Sequence, residues 1–315
     1  MISRYQDLGW GVSCIEAGFQ RPGLAGCYLL LRDGEAALID TGTARTFPNI
    51  LSLFAEKGID RSQLRYVIPT HVHLDHAGGA GQLMAHFPRA SLVVHPNGAR
   101  HLIAPEKLAA GSRAVYGEAD FQRHFLELLP VDEARVITAQ DGLELELGNS
   151  RLTCIDAPGH ARHHIVIHDP ASGGLFTGDT FGIAYPELTT KAGPYLLLPS
   201  TPVQFDPEGW HRTLDRLLAI AAKRVFLTHY SGIDQAPQHA ESLHQQIDAY
   251  VDIARGAAGQ QERYPHLHQA LWEFHDARLD RHGCRLDQSQ RRLLLEMDIG
   301  LCAQGLDVWL QRQAG

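Results

Sequence analysis

The run THVHLDHAGG at residues 70–79 places His71, His73, Asp75 and His76 within six positions, directly after the apolar, strand-like residues 65–68. Few features constrain a chain more. Four such side chains at the end of a core strand have to converge on something that satisfies them together. Imidazole and carboxylate are the donor set of Zn²⁺, Fe²⁺ or Mn²⁺, and no nearby Cys points to a thiolate site. In an extended segment His71 and His73 fall on the same side, which lets both bind one ion. Asp75 and His76, beyond the turn, can face a second.

Three further ligand candidates lie where strands end: His160 in APGHARHH, Asp179 in FTGDT and His229 in LTHYSG. Each follows apolar strand residues and precedes small or turn residues, as expected where loops at one edge of a sheet converge on a site. Any one of them alone reads as a satisfied polar residue at a strand end. The joint pattern of seven is what makes them ligands.

Short strands separated by Gly and Pro fill the chain up to about residue 40, including 27–32 and 36–39. A helix over 47–58, with Ile50, Leu51, Phe54 and Ala55 at helical spacing, leads to the strand before the histidine run. A helix at 78–87, a strand at 91–95 and a mostly helical insertion at 99–129 complete one half. A second half has strands at 143–147, 152–155, 164–168 and 174–177, a helix at 207–222 and a strand at 224–227. The halves rhyme in LIDTG (38–42) and FTGDT (176–180), and two such halves predict an α/β fold, a four-layer αβ/βα sandwich. We expect a catalytic domain over residues 1–240 and a helical C-terminal extension over 241–315. In that extension Leu267, Leu271 and Phe274 share a face, and Leu293, Leu294, Met297, Leu301 and Leu310 populate a final apolar stripe. The stripe suits packing on the core or a homodimer through the C-terminal helices; the sharper alternative is a lid over the site.

Composition narrows the partners. A formal net charge of −8 lacks the basic excess that a phosphate backbone rewards, so no nucleic-acid partner is expected. No stretch has the length or apolarity of a membrane span or an exported leader, so no membrane partner is expected and the chain reads as cytoplasmic. Cys14, Cys27, Cys154, Cys284 and Cys302 are scattered and odd in number, which fits reduced thiols rather than a disulfide framework. A small-molecule substrate is the partner that remains.

In this order THVHLDH, APGH, FTGD and LTH resemble the ligand set of the metallo-β-lactamase superfamily, over about residues 10–235. HLDHAGGAGQLM and HPNGARHL resemble stretches of an uncharacterised bacterial and archaeal branch with glyoxalase II-like ligands. The resemblance implies the metallo-β-lactamase fold and a binuclear metallo-hydrolase: His71, His73 and His160 on the first metal, Asp75, His76 and His229 on the second, and Asp179 bridging both. Two divalent ions are implied, zinc first, with iron or manganese as alternatives. Asp40 of LIDTG matches an acidic residue near the metals and takes a supporting role. His164 falls where the family often has another histidine, for which a hydrogen-bonding role is expected.

By the same resemblance a metal-bridging hydroxide attacks an ester, lactone, thioester or phosphodiester. Asp75 and Asp179 are then the catalytic carboxylates, and Asp75 shuttles a proton to the leaving group. The substrate pocket draws on loops such as the Pro-, Thr- and Gly-rich 182–203, with Tyr185, Lys191 and Tyr230 as candidate contacts because each lies in a loop flanking a ligand. Asp179 and the absence of an exported leader set the chain apart from antibiotic-degrading members. Two rivals are a mononuclear iron persulfide dioxygenase on the same scaffold and a non-catalytic regulatory or binding protein that works through its helical tail.

Overall fold

The computed structural model describes residues 4–234 and 236–314, which form two compact units. The first unit comprises residues 4–156, 163–178 and 222–234 and contains both large sheets.

Short apolar runs ended by Gly or Asp make the first sheet: β1 (Tyr5–Gly9), β2 (Val12–Glu16), β3 (Gly26–Arg32), β4 (Glu35–Ile39), β5 (Leu64–Ile68), β6 (Ser91–Val94) and β7 (Val136–Thr138). They pair in chain order, antiparallel from β1 to β4 and parallel from β4 to β7. Parallel neighbours need crossovers. These are α1 (Phe47–Glu56), then α2 (Leu74–Ala77) with α3 (Ala80–His86), then α4 (Pro96–Ile103), α5 (Glu106–Tyr116) and α6 (Glu118–His124). Helix α1 buries Ile50, Leu53 and Phe54, an i, i+3, i+4 stripe. The insertion at 99–129 is helical as expected, broken between α5 and α6 at Gly117, whose φ is +79°.

The second sheet holds β8 (Glu144–Leu147), β9 (Ser150–Asp156), β10 (Ile165–Asp169), β11 (Gly174–Gly178), β14 (Arg224–Leu227) and β15 (Ser231–Ile233). Its order is β15-β14-β11-β10-β9-β8, and only β11–β14 is parallel. In β8 the exposed Glu144 and Glu146 alternate with buried Leu145 and Leu147, the two-residue period of a half-buried strand. The two sheets share one core, in which Tyr28 meets Phe176 edge-on at 5.1 Å and Phe176 stacks on Phe226 at 4.6 Å. The Tyr28 hydroxyl donates to the Leu227 carbonyl, so its buried polar end is satisfied. The buried guanidinium of Arg32 pairs with the buried carboxylate of Asp169 and donates to the carbonyl of Trp10 at 2.6 Å.

The second unit comprises residues 157–162, 179–221 and 236–314. It contains β12 (Ile183–Ala184), β13 (Leu196–Leu197), α7 (Pro207–Ala219), α8 (Ala236–Ala257), α9 (Arg263–Arg281) and α10 (Gln288–Ala314). The segment 182–203 is thus not wholly loop: β12 and β13 pair antiparallel inside it. The stripe expected on the last helix is also corrected. Leu293 is 87% exposed, and the inward face of α10 is Leu295, Ile299, Cys302 and Leu306, with Leu310 the one member of the expected stripe that is buried. His275 is buried in α9 between two phenols, its Nδ1 at 2.7 Å from the Tyr195 hydroxyl and its Nε2 at 2.6 Å from that of Tyr250. Among the described residues no helix is long and apolar enough to cross a membrane.

Candidate metal centre

In the first unit the histidine run leaves the end of β5 and turns into the single-turn helix α2, so that His71 precedes the helix, His73 caps it and Asp75 and His76 lie within it. His71 and His76 are buried, while His73 and Asp75 are half-buried. The run is braced by Asp40, which sits after β4 with φ +55°, a conformation that Asp tolerates better than most residues. Its Oδ1 accepts from the Thr70 amide at 2.7 Å and the Thr70 hydroxyl at 2.9 Å. Its Oδ2 accepts from the Thr228 hydroxyl at 2.6 Å and lies 2.8 Å from His76 Nδ1.

These partners fix the imidazole tautomers. Asp40 Oδ2 faces His76 Nδ1, so that nitrogen carries the proton and Nε2 keeps the lone pair. His229 follows β14, and its Nδ1 lies 2.7 Å from the Leu24 carbonyl oxygen, which only accepts; its Nε2 is then the basic nitrogen. Thr70 Oγ1, whose proton goes to Asp40, can accept from His71 Nδ1 at 3.2 Å, and His71 Nε2 lies 2.8 Å from His73 Nδ1. Asp75 Oδ2 approaches the Nε2 atoms of His229 at 3.3 Å and of His76 at 3.7 Å. Ligand atoms of Asp75, His76 and His229 lie within 4.8 Å of one another. Basic nitrogens and a carboxylate gathered this closely fit a divalent cation of zinc type, because the donors repel one another without a positive charge among them.

His163 and His164, also in the first unit, flank His71: the His164 ring stacks on it at 4.8 Å and that of His163 at 6.2 Å. Gly178, with φ +50°, makes room there, since a Cβ on it would lie 2.7 Å from His164 Nε2 and 2.5 Å from Thr70 Oγ1.

The second unit positions His160 and Asp179 together. His160 Nδ1 lies 2.7 Å from the Pro199 carbonyl oxygen, and its Nε2 lies 3.5 Å from Asp179 Oδ2. The tautomer is again the one that leaves Nε2 basic. Trp210 on α7 holds both ligand segments: its indole N–H donates to the Thr180 carbonyl at 2.6 Å, and its ring meets His160 edge-on at 5.9 Å. Gly159, with φ +139°, allows the close approach, because a Cβ there would come within 2.5 Å of Trp210.

The candidate substrate contacts are placed as follows. In the second unit the buried Tyr185 donates its hydroxyl to Asp298 Oδ2 at 3.0 Å, and Lys191 is exposed. In the first unit the half-buried Tyr230 donates to Glu16 Oε2 at 3.3 Å. Burial, then the nearby Cys14 and Glu16, push the Tyr230 phenol up, so it remains a proton donor at neutral pH. Sequence reasoning missed Thr70 and Thr228. Their signal is the repeated Thr-His pair, Thr70-His71 and Thr228-His229, each threonine feeding the same carboxylate.

A sequence profile of the metallo-beta-lactamase superfamily matches residues 21–229, a stretch that contains all seven ligand candidates. The chain belongs to this superfamily. A metallo-beta-lactamase fold-containing protein of Sulfurisphaera tokodaii is 27% identical over 79% of this chain and 91% of its own length. The archaeal crystal structure of that protein superposes with a TM-score of 0.66 at 22% identity, covering 94% of this chain and 98% of the other, and shows the fold. An acyl-coenzyme A thioesterase of Gallus gallus is 30% identical over 56% of this chain, which spans 64% of that protein. A hydroxyacylglutathione hydrolase of Synechococcus is 32% identical over 51% of this chain, which spans about half of it, 51%. The expected metallo-β-lactamase fold with a helical C-terminal extension stands, as does the likeness to an archaeal branch. Metal-dependent hydrolysis is the general chemistry that these matches support.

Proposed function

We propose that His71, His73, Asp75, His76, His160, Asp179 and His229 serve a dinuclear zinc-type centre of a cytoplasmic hydrolase acting on a small-molecule ester, lactone, thioester or phosphodiester. The observation that carries this reading is the Asp75, His76 and His229 group: ligand atoms within 4.8 Å, with both imidazoles held through their other ring nitrogen. That arrangement orients metal-bound histidines and raises their basicity. The thioesterase and hydroxyacylglutathione hydrolase names among the relatives favour an acyl carbonyl as the reacting group, thioesters first.

Divalent ions in such a centre supply a Lewis acid and a nucleophile at neutral pH without a Ser or Cys. The chain's own contribution is to hold the ligands in place and move protons. Asp75, half-buried beside His229, delivers a proton to the leaving group, and Asp179 beside His160 carries negative charge to the ligand set. Tyr230 remains protonated, and its hydroxyl donates to Glu16. The test is hydrolysis of a panel of thioesters, lactones, aryl esters and phosphodiesters by the metal-replete protein and by Asp75→Asn. Turnover of one class by the metal-replete protein that collapses in Asp75→Asn, with weaker metal retention in that variant, supports the reading. One iron per chain with oxygen uptake on a glutathione persulfide, and no hydrolysis, overturns it in favour of the dioxygenase.

A further inference from the structure

Helices α7 and α8 each carry a histidine and an aspartate one turn apart: His211 and Asp215 on α7, His244 and Asp248 on α8. The i, i+4 spacing puts each pair on one helical face. The four side chains meet crosswise. His211 Nε2 lies 3.2 Å from Asp248 Oδ1, and His244 Nε2 lies 3.3 Å from Asp215 Oδ1. Between these contacts the two imidazoles stack at 4.9 Å with their planes 6° apart, and their Nδ1 atoms are 2.6 Å from each other.

A carboxylate facing an imidazole nitrogen accepts its proton, so Nε2–H is the donor in both rings and each neutral ring keeps its lone pair on Nδ1. Two lone pairs at that separation repel. Something positive has to lie between them, a shared proton or a metal ion. The candidate centre of the first unit has the same two features: imidazole nitrogens of His71 and His73 at 2.8 Å, and a histidine, His76, turned by a carboxylate on its far nitrogen.

We infer that His211 and His244 form a binding site of their own for a borderline transition-metal cation, Zn²⁺ being the natural occupant. Their Nδ1 atoms are the ligands, and Asp215 and Asp248 hold the tautomers. Two ligands at about 2.0–2.1 Å from a tetrahedral ion sit roughly 3.3 Å apart, so a small rotation of the rings admits it. Accessibility favours the exchange: the histidine side chains are 31% and 20% exposed and the aspartates 73% each, so water can fill the remaining positions. The proton shared in the metal-free pair leaves to solvent as the ion enters. The ion then clips α7, which buries Trp210, Leu214 and Leu217, to α8, which buries Leu243 and Ile247.

The experiment compares the full chain with its His211→Ala/His244→Ala variant after dialysis against micromolar Zn²⁺. Elemental analysis should find about one equivalent fewer in the variant. Zn²⁺ should slow amide exchange in α7 and α8 of the parent and leave the variant unchanged, with substrate turnover equal in the two. Equal zinc content, with exchange in α7 and α8 indifferent to Zn²⁺, overturns the site and leaves a shared proton. If the double variant fails to fold, Asp215→Asn/Asp248→Asn decides: affinity for this equivalent should fall about 10–100-fold, and unchanged affinity contradicts the site. Both readouts are independent of whether the candidate centre hydrolyses anything.

Discussion

In the first unit a side chain, Asp40, braces the histidine run, while His229 rests on the Leu24 carbonyl; in the second unit His160 rests on a main-chain carbonyl and on an indole ring. In the first, Asp40 gathers Thr70, Thr228 and His76, so a three-strand meeting point depends on one carboxylate. In the second, His160 leans on the Pro199 carbonyl and the Trp210 ring, and its position depends on how closely Gly159 lets the backbone approach α7. The first kind of support is removed by deleting a functional group. The second is removed by adding a methyl group, and the two should fail differently.

Deleting a ligand candidate outright gives the largest expected effect. His76→Ala should lower kcat/KM about 10³-fold, because the several kcal/mol of charge stabilisation expected from a bound ion is lost. A variant with parental kinetics would remove His76 from the centre. Next, Gly159→Ala should destabilise the second unit by about 2–4 kcal/mol, combining a backbone conformation that disfavours side chains with overlap on Trp210. Its unfolding midpoint should drop, and an unchanged midpoint would break the contrast. Asp40→Asn should keep the fold but weaken metal affinity about 10–100-fold, since one oxygen is replaced by an amide group that opposes two of its donors. Metal titration monitored by activity checks it.

The smallest effect is a pH dependence confined to the helical unit. Burial, followed by the Arg278 charge, lowers His275 from 6.5 to about 3. The folded state therefore holds this ring neutral, while the unfolded chain takes up a proton below about pH 6.5. Stability is fully present above that pH and is lost as the pH falls towards the folded value, at up to about 1.4 kcal/mol per pH unit. Chemical denaturation between pH 7 and 5 should show this slope in the parent and a shallower one in His275→Gln.

Much of the two-sheet unit was legible in the sequence because its strands are short, apolar and punctuated. The strands at 91–95, 174–177 and 224–227 emerge within a residue or so of their expected ends. The histidine run was legible for a chemical reason, the density of one donor set. The supports were not. Leu24 and Pro199 act through carbonyl oxygens, which every residue possesses, so their identity carries no signal. Helix α10 resisted for a different reason: with apolar residues around much of its circumference, its pattern does not choose between Leu293 and Leu295, and only packing does. The β12–β13 pair was hidden because Pro and Gly around it read as loop.

If the seven ligand candidates hold two divalent ions as proposed, elemental analysis of the purified chain should find about two tightly held ions per chain, zinc foremost. Hydrolysis assayed before and after chelation should be lost on their removal and restored on their return. A chain that retains no tightly bound metal, or hydrolyses its substrate equally well without it, would rule the dinuclear centre out.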